Sequence, residues 1–90
     1  MFERIIDVTT PSGLHARPAG LVTELVSAVP FEVEIGRPGE EFVDAESILS
    51  IMGLDVTPGE QVALRCQTDA ENPDAVEFIH SITEILTQND

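Results

Sequence analysis

Phe31-Glu32-Val33-Glu34-Ile35 alternates apolar and acidic residues without a slip. Successive side chains on a β-strand point to opposite faces, so this segment predicts a strand with Phe31, Val33 and Ile35 turned inward and both glutamates in water. A sheet wetted on one face is not the doubly covered parallel kind, whose strands read as unbroken apolar runs. Outward from this segment the chain turns at Gly36 to Gly39, and Glu40 to Asp44 is short enough to be the return strand of a hairpin. Gln61 to Gln67 alternates again, with Val62, Leu64 and Cys66 on one side. Near the start of the chain, residues 2–9 mix β-branched with polar residues and run into Thr10-Pro11-Ser12-Gly13, which predicts a further strand and a loop.

Between these segments the period changes. From about residue 16, Leu21, Val22, Leu25, Val26 and Val29 recur along one face of a helix that Pro30 stops. Glu46 to Gly53 reads as a short helix ended by its glycine, and Asp55 to Gly59 as a turn. Asn72-Pro73 supplies an N-cap followed by proline at the first helical position, and Val76, Ile79, Ile82, Thr83 and Leu86 continue at helical spacing to Thr87. The order is β-α-β-β-α-β-α over residues 1–90, with no linker and no internal repeat. Four half-polar strands predict an α+β fold in one domain: a mostly antiparallel sheet covered by helices on a single face.

The charge narrows the function. Seventeen Asp and Glu stand against four Arg and no Lys, a formal charge of -13. Such a surface repels a phosphate backbone or an anionic lipid face, which excludes nucleic acid and membrane partners. The longest apolar run, Ile48 to Met52, is far short of the roughly 18 residues that a membrane helix needs, and Met1-Phe2-Glu3-Arg4 lacks a charged-then-apolar signal layout. A cytoplasmic location is the expectation. The single cysteine, Cys66, makes no internal disulfide, and with two distant histidines it builds no metal site; its alternation with Val62 and Leu64 makes it a buried strand residue. His80 reads as a structural residue on the boundary of the last helix.

Gly13-Leu14-His15-Ala16-Arg17-Pro18-Ala19-Gly20 sits where the first loop meets the first helix. The backbone N–H groups of Ala16 and Arg17 then have no intrahelical partner and point outward at the positive end of the helix dipole. Pro18 is tolerated there because its missing N–H would have been unpaired. Dipole and guanidinium together predict that the His15 ring stays neutral and keeps a nucleophilic lone pair near neutral pH. An anion on the ring would meet free N–H groups and a guanidinium, the parts of a phosphate site. The motif holds neither a carboxylate pair for Mg²⁺ nor a nucleotide loop, so the phosphoryl group comes from and goes to other proteins and no cofactor is expected. A lone histidine at a helix start is more often a surface or capping residue; its adjacency to Arg17 behind a Ser-Gly turn is what points to chemistry.

Residues 13–19 resemble the active-site motif of the HPr family, the histidine-containing phosphocarriers of the phosphoenolpyruvate-dependent sugar phosphotransferase system. The resemblance extends over nearly the whole chain, through length, element order and a second motif, Ser47-Ile48-Leu49-Ser50-Ile51-Met52-Gly53-Leu54. It implies an open-faced β-sandwich, a four-stranded antiparallel sheet with three helices on one face, and a monomeric stoichiometric carrier rather than an enzyme. His15 would accept a phosphoryl group on Nδ1 from enzyme I and pass it to permease A domains, with Arg17 holding the phosphoryl oxygens. Leu14, Gly20, Ile48, Leu49 and Met52 would form the partner-docking surface, while Ile51 is core.

Ser47 stands where part of the family carries a regulatory serine phosphorylated by a dedicated serine kinase. As a residue it is equally a good N-cap for the short helix, and Glu46, Asp44, Glu40 and Glu41 would oppose a phosphate there. A regulatory module acting through Ser47 with an idle His15 is a competing reading, against which the intact His15/Arg17 pair argues. A hydrolase using His15 with Ser12 or Ser47 lacks a carboxylate orienter and oxyanion donors in any local motif. The chain departs from the family in one respect: Glu24, Ser27 and Ser50 occupy the region where lysines commonly surround the histidine. An acidic, lysine-free composition resembles that of proteins from salt-accumulating halophiles, which predicts stabilisation by salt.

Overall fold

The computed structural model describes residues 1–89. The elements are β1 (Phe2–Asp7), α1 (Ala16–Ala28), β2 (Val33–Gly36), β3 (Phe42–Asp44), α2 (Ile48–Gly53), β4 (Gln61–Cys66) and α3 (Pro73–Thr87), in the order expected. The strands form one sheet ordered β1-β4-β2-β3, and all three pairings are antiparallel. The last strand in sequence thus lies between the first and second, with Ile6 opposite Val62 and Ile35 opposite Leu64.

One face carries the core. Val62, Leu64 and Cys66 of β4, with Val33 and Ile35 of β2, are buried beneath Val22 and Val26 of α1 and Phe78, Ile82 and Leu86 of α3. Burial of Cys66 pushes its thiol pKa up to about 11, in keeping with a packing role. The other face is wet. There Arg65 lies between its cross-strand neighbours Glu3 and Glu34, at 3.4 and 3.9 Å, and stacks over the Phe42 ring at 4.0 Å.

Several boundaries differ from the sequence reading. β2 begins at Val33, because Phe31 leaves the sheet line to meet Phe78 edge-to-face at a centroid separation of 5.8 Å. Gly36 belongs to the strand rather than the turn: a Cβ there would lie 2.6 Å from the Glu41 carbonyl of the hairpin partner. β1 ends at Asp7, and the N–H groups of Thr9 and Thr10 instead donate to the Leu86 carbonyl of α3 at 2.9 and 3.0 Å. The face of α3 is also rotated. Val76 is 58% exposed, while Ala75 and Phe78 join Ile82 and Leu86 in the core. Both sets of positions satisfy helical spacing, and the sheet beneath selects between them. Asn72 caps this helix as expected, accepting from the Asp74 N–H at 3.0 Å, and the exposed His80 pairs with Glu84 one turn on at 3.2 Å.

Candidate functional site

The loop between β1 and α1 is anchored at both ends. Gly13 has φ +65°, and a Cβ there would stand 2.5 Å from the Val56 carbonyl. That same carbonyl accepts the Leu14 N–H at 3.0 Å. Leu14 and Ala19 are fully buried and Pro18 is buried, so residues 15–17 are raised between two inward-facing anchors. His15 is the N-cap of α1 in an extended conformation and makes no side-chain cap bond. Ala16 follows with φ +43°, a left-handed conformation that costs a non-glycine residue about 1–2 kcal/mol and is held by the anchors on either side.

This geometry leaves His15 half-exposed and Ala16 and Arg17 exposed. Among the described residues the Arg17 guanidinium has no hydrogen-bond or ion-pair partner. The N–H groups of Ala16 and Arg17 lead the helix, where no intrahelical acceptor exists, and Pro18 has none to leave unpaired. Unpaired donors at the start of α1 and, among the described residues, an unpartnered guanidinium two positions along the chain thus accompany the ring.

The ring itself has two neighbours. Its Nε2 lies 2.9 Å from Oδ1 of Asp55, and its Nδ1 lies 3.4 Å from the Ser12 carbonyl oxygen. A neutral imidazole carries a proton on one nitrogen only, and both neighbours are acceptors. The shorter contact, to a charged acceptor, takes the proton. Nδ1 is then the nitrogen with the lone pair. Sequence reasoning missed Asp55 because it lies forty positions from His15 in a turn with no motif of its own. The contact follows from the docking of Leu14 on Val56, the residue next to Asp55.

The turn carrying Asp55 is itself braced. Arg37 donates to the carbonyls of Leu54 and Asp55 at 2.9 and 3.1 Å and pairs with Glu60. Glu60 also accepts from the Thr57 N–H at 2.8 Å and its hydroxyl at 3.0 Å. The Arg37 bond first, then the two from Thr57, hold the Glu60 carboxyl down at a pKa of about 2.

Beside α1 lies the short helix α2. A Cβ on the half-buried Gly20 would sit 3.8 Å from Cδ1 of Ile48, so the two helices meet there and Gly20 offers little surface of its own. Ile48 and Leu49 are 40% and 80% exposed, whereas Ile51 is fully buried. One residue expected in the docking surface is placed otherwise. Leu14 is wholly in the core, because its backbone bond to Val56 turns the side chain inward, and it presents nothing to a partner. Met52 is half-buried: part of it packs against the core and the rest stays open to a partner. Ser47 is the N-cap of α2, its hydroxyl accepting from the Ser50 N–H at 3.2 Å, with Asp44 and Glu46 adjoining.

The exposed apolar pair gives a clean test of docking. If the pair forms the partner-docking surface that the family resemblance implies, Leu49→Glu will weaken phosphotransfer while shifting stability by less than about 0.5 kcal/mol, as exposed substitutions usually do. A large fall in melting temperature, or transfer at the unaltered rate, would remove Leu49 from the docking surface.

An open-faced sandwich that presents a histidine and an arginine at the start of its first helix has the parts of a carrier of small anionic groups. Comparison with known proteins names the class. A family model described as "PTS HPr component phosphorylation site" matches residues 2–88. The phosphocarrier protein HPr of Haloferax volcanii is 36% identical over 86 residues, covering 94% of this chain and 92% of that protein. HPr of Streptomyces coelicolor is 36% identical over 75 residues, covering 83% and 78%. A crystal structure of HPr from Thermoanaerobacter tengcongensis superposes with a TM-score of 0.81 at 30% identity, covering 98% of each chain. The chain belongs to the HPr family of phosphotransferase-system phosphocarriers, which carry a phosphoryl group stoichiometrically rather than turning over a substrate. Among the described residues, no helix is long and apolar enough to cross a membrane, and no cluster of side chains could hold a metal ion.

Proposed function

We propose that His15 accepts a phosphoryl group on Nδ1 from phosphorylated enzyme I and passes it to permease A domains, with Arg17 and the N–H groups of Ala16 and Arg17 receiving the phosphoryl oxygens. The observation that carries this reading is the contact of Nε2 with Asp55 at 2.9 Å, which leaves Nδ1 of a neutral ring with the lone pair at the start of a helix whose Arg17 is unpartnered among the described residues. Ile48 and Leu49 supply the docking surface next to it. In this reading the carrier acts as a monomer in the cytoplasm, where its phosphoryl donor and acceptors would meet it. The Ser47 hydroxyl is already engaged as the cap of α2 between acidic neighbours, which favours the carrier over a kinase-regulated module.

Incubation with enzyme I and labelled phosphoenolpyruvate tests the proposal. The expected product is a phosphoramidate on one histidine, stable to base and lost in mild acid. A chain that takes no label, or takes it on Ser47, would overturn this assignment.

A further inference from the structure

When the His15 ring is neutral, two acceptors compete for its one proton. The Ser12 carbonyl, 3.4 Å from Nδ1, would hold that proton on the nitrogen that must attack, whereas the Asp55 carboxylate, 2.9 Å from Nε2, holds it on the far side. We infer that Asp55 is a positioning residue for phosphotransfer, setting His15 in the Nε2–H tautomer and offsetting the positive charge that the ring acquires when Nδ1 is phosphorylated. The inference rests on the carrier reading above.

The electron count shows why the far-side proton matters. As the phosphoryl group arrives, the Nδ1 lone pair forms the N–P bond, and the bond from phosphorus to the donor's phosphorylated atom breaks with its pair returning to the donor. The Nε2 proton stays, so the ring becomes cationic and faces a carboxylate. On departure the N–P pair returns to Nδ1, and the leaving group is neutral imidazole rather than imidazolate, again because Nε2 kept its proton. Both directions of transfer use the same contact.

The backbone is built to present this carboxylate. Asp55 has φ +53°, a left-handed conformation that aspartate and asparagine tolerate better than most residues. Arg37 holds it from behind through the Leu54 and Asp55 carbonyls, and the Leu14–Val56 bond sets the distance to the histidine loop. The Asp55 side chain is 83% exposed and makes no other hydrogen bond among the described residues, so its placement contributes nothing to the core.

Two variants separate positioning from folding. Asp55→Gly removes the carboxylate and relieves the left-handed backbone, so it is expected to be at least as stable as the parent yet slower in transfer by about tenfold, the low end for loss of a group that orients a functional imidazole. Asp55→Asn keeps the shape, but its amide can donate to Nε2 and drive the proton to Nδ1, where the Ser12 carbonyl accepts it; it is expected to be slower still. The ¹⁵N shifts of the His15 ring, read at a pH where it is neutral, should report mainly Nε2–H in the parent, a mixture in the glycine variant and a shift toward Nδ1–H in the asparagine variant. Parent-like rates and ring shifts in both variants would overturn the role of Asp55 while leaving the carrier reading intact. A parent chain that takes no label from enzyme I would overturn both.

Discussion

His15→Ala is expected to reduce labelling by enzyme I to background while leaving the fold in place. The ring is half-exposed and makes no cap bond to α1, so its loss removes neither core packing nor a helix-terminal hydrogen bond. Melting followed by circular dichroism should therefore stay within the change of about 0.5 kcal/mol usual for surface substitutions. Arg17→Ala should retain the acceptor but lose the group that meets the moving charge. Removing a donor of that kind raises the barrier by ~2 to 4 kcal/mol, and the loss should fall on the transfer rate more than on the affinity for enzyme I. Label that survives in His15→Ala would end the assignment of the acceptor. An Arg17→Ala defect confined to affinity would move Arg17 from the phosphoryl group to the docking surface.

Salt is expected to have the second large effect. Of seventeen carboxylates, arginines engage only Glu3, Glu34 and Glu60 among the described residues. The molecule measures 30 × 26 × 20 Å, and at ~0.01 M salt the screening length is about 30 Å, so every carboxylate feels most of the others. At ~1 M that length is about 3 Å, and repulsion between non-adjacent carboxylates is largely gone. The melting temperature should rise monotonically with KCl into the molar range. Phosphotransfer with the protein's own enzyme I should persist there, because the exposed Ile48 and Leu49 need no long-range attraction to dock. A melting temperature that is flat or falls with salt would refute the view that this composition is an adaptation to high ionic strength, without touching the phosphocarrier assignment.

Much of the site was legible because its signals are local. Gly13, His15, Arg17 and Pro18 lie within six consecutive residues, and the reasons for each type at each place, a left-handed turn, a helix N-terminus and an exposed guanidinium, are properties of a short stretch of chain. What could not be read were the roles that depend on which side of an element faces the protein. Leu14 and Met52 belong by composition to an apolar surface, yet one is wholly core and the other half so, whereas Ile48 and Leu49 are left outside. The ring's electrostatic setting was incomplete for the same reason, since dipole and arginine are local and the Asp55 carboxylate is not.

By itself the sequence determined the order of elements and the one-sided sheet, because alternation at 31–35 and 61–67 encodes which face carries the large apolar side chains. It determined the opening of α3 through Asn72 and Pro73, which act on the N–H groups of their own turn. Only the tertiary structure decided that β4 inserts between β1 and β2 and that α3 buries Phe78 rather than Val76. It alone decided that Asp55 reaches the Nε2 of His15. A periodic pattern states how many apolar residues share a face, but several strand orders and helix phases satisfy one pattern. The choice among them rests on contacts between residues far apart in the chain, here the Leu14–Val56 hydrogen bond that sets the histidine loop against the turn at Asp55.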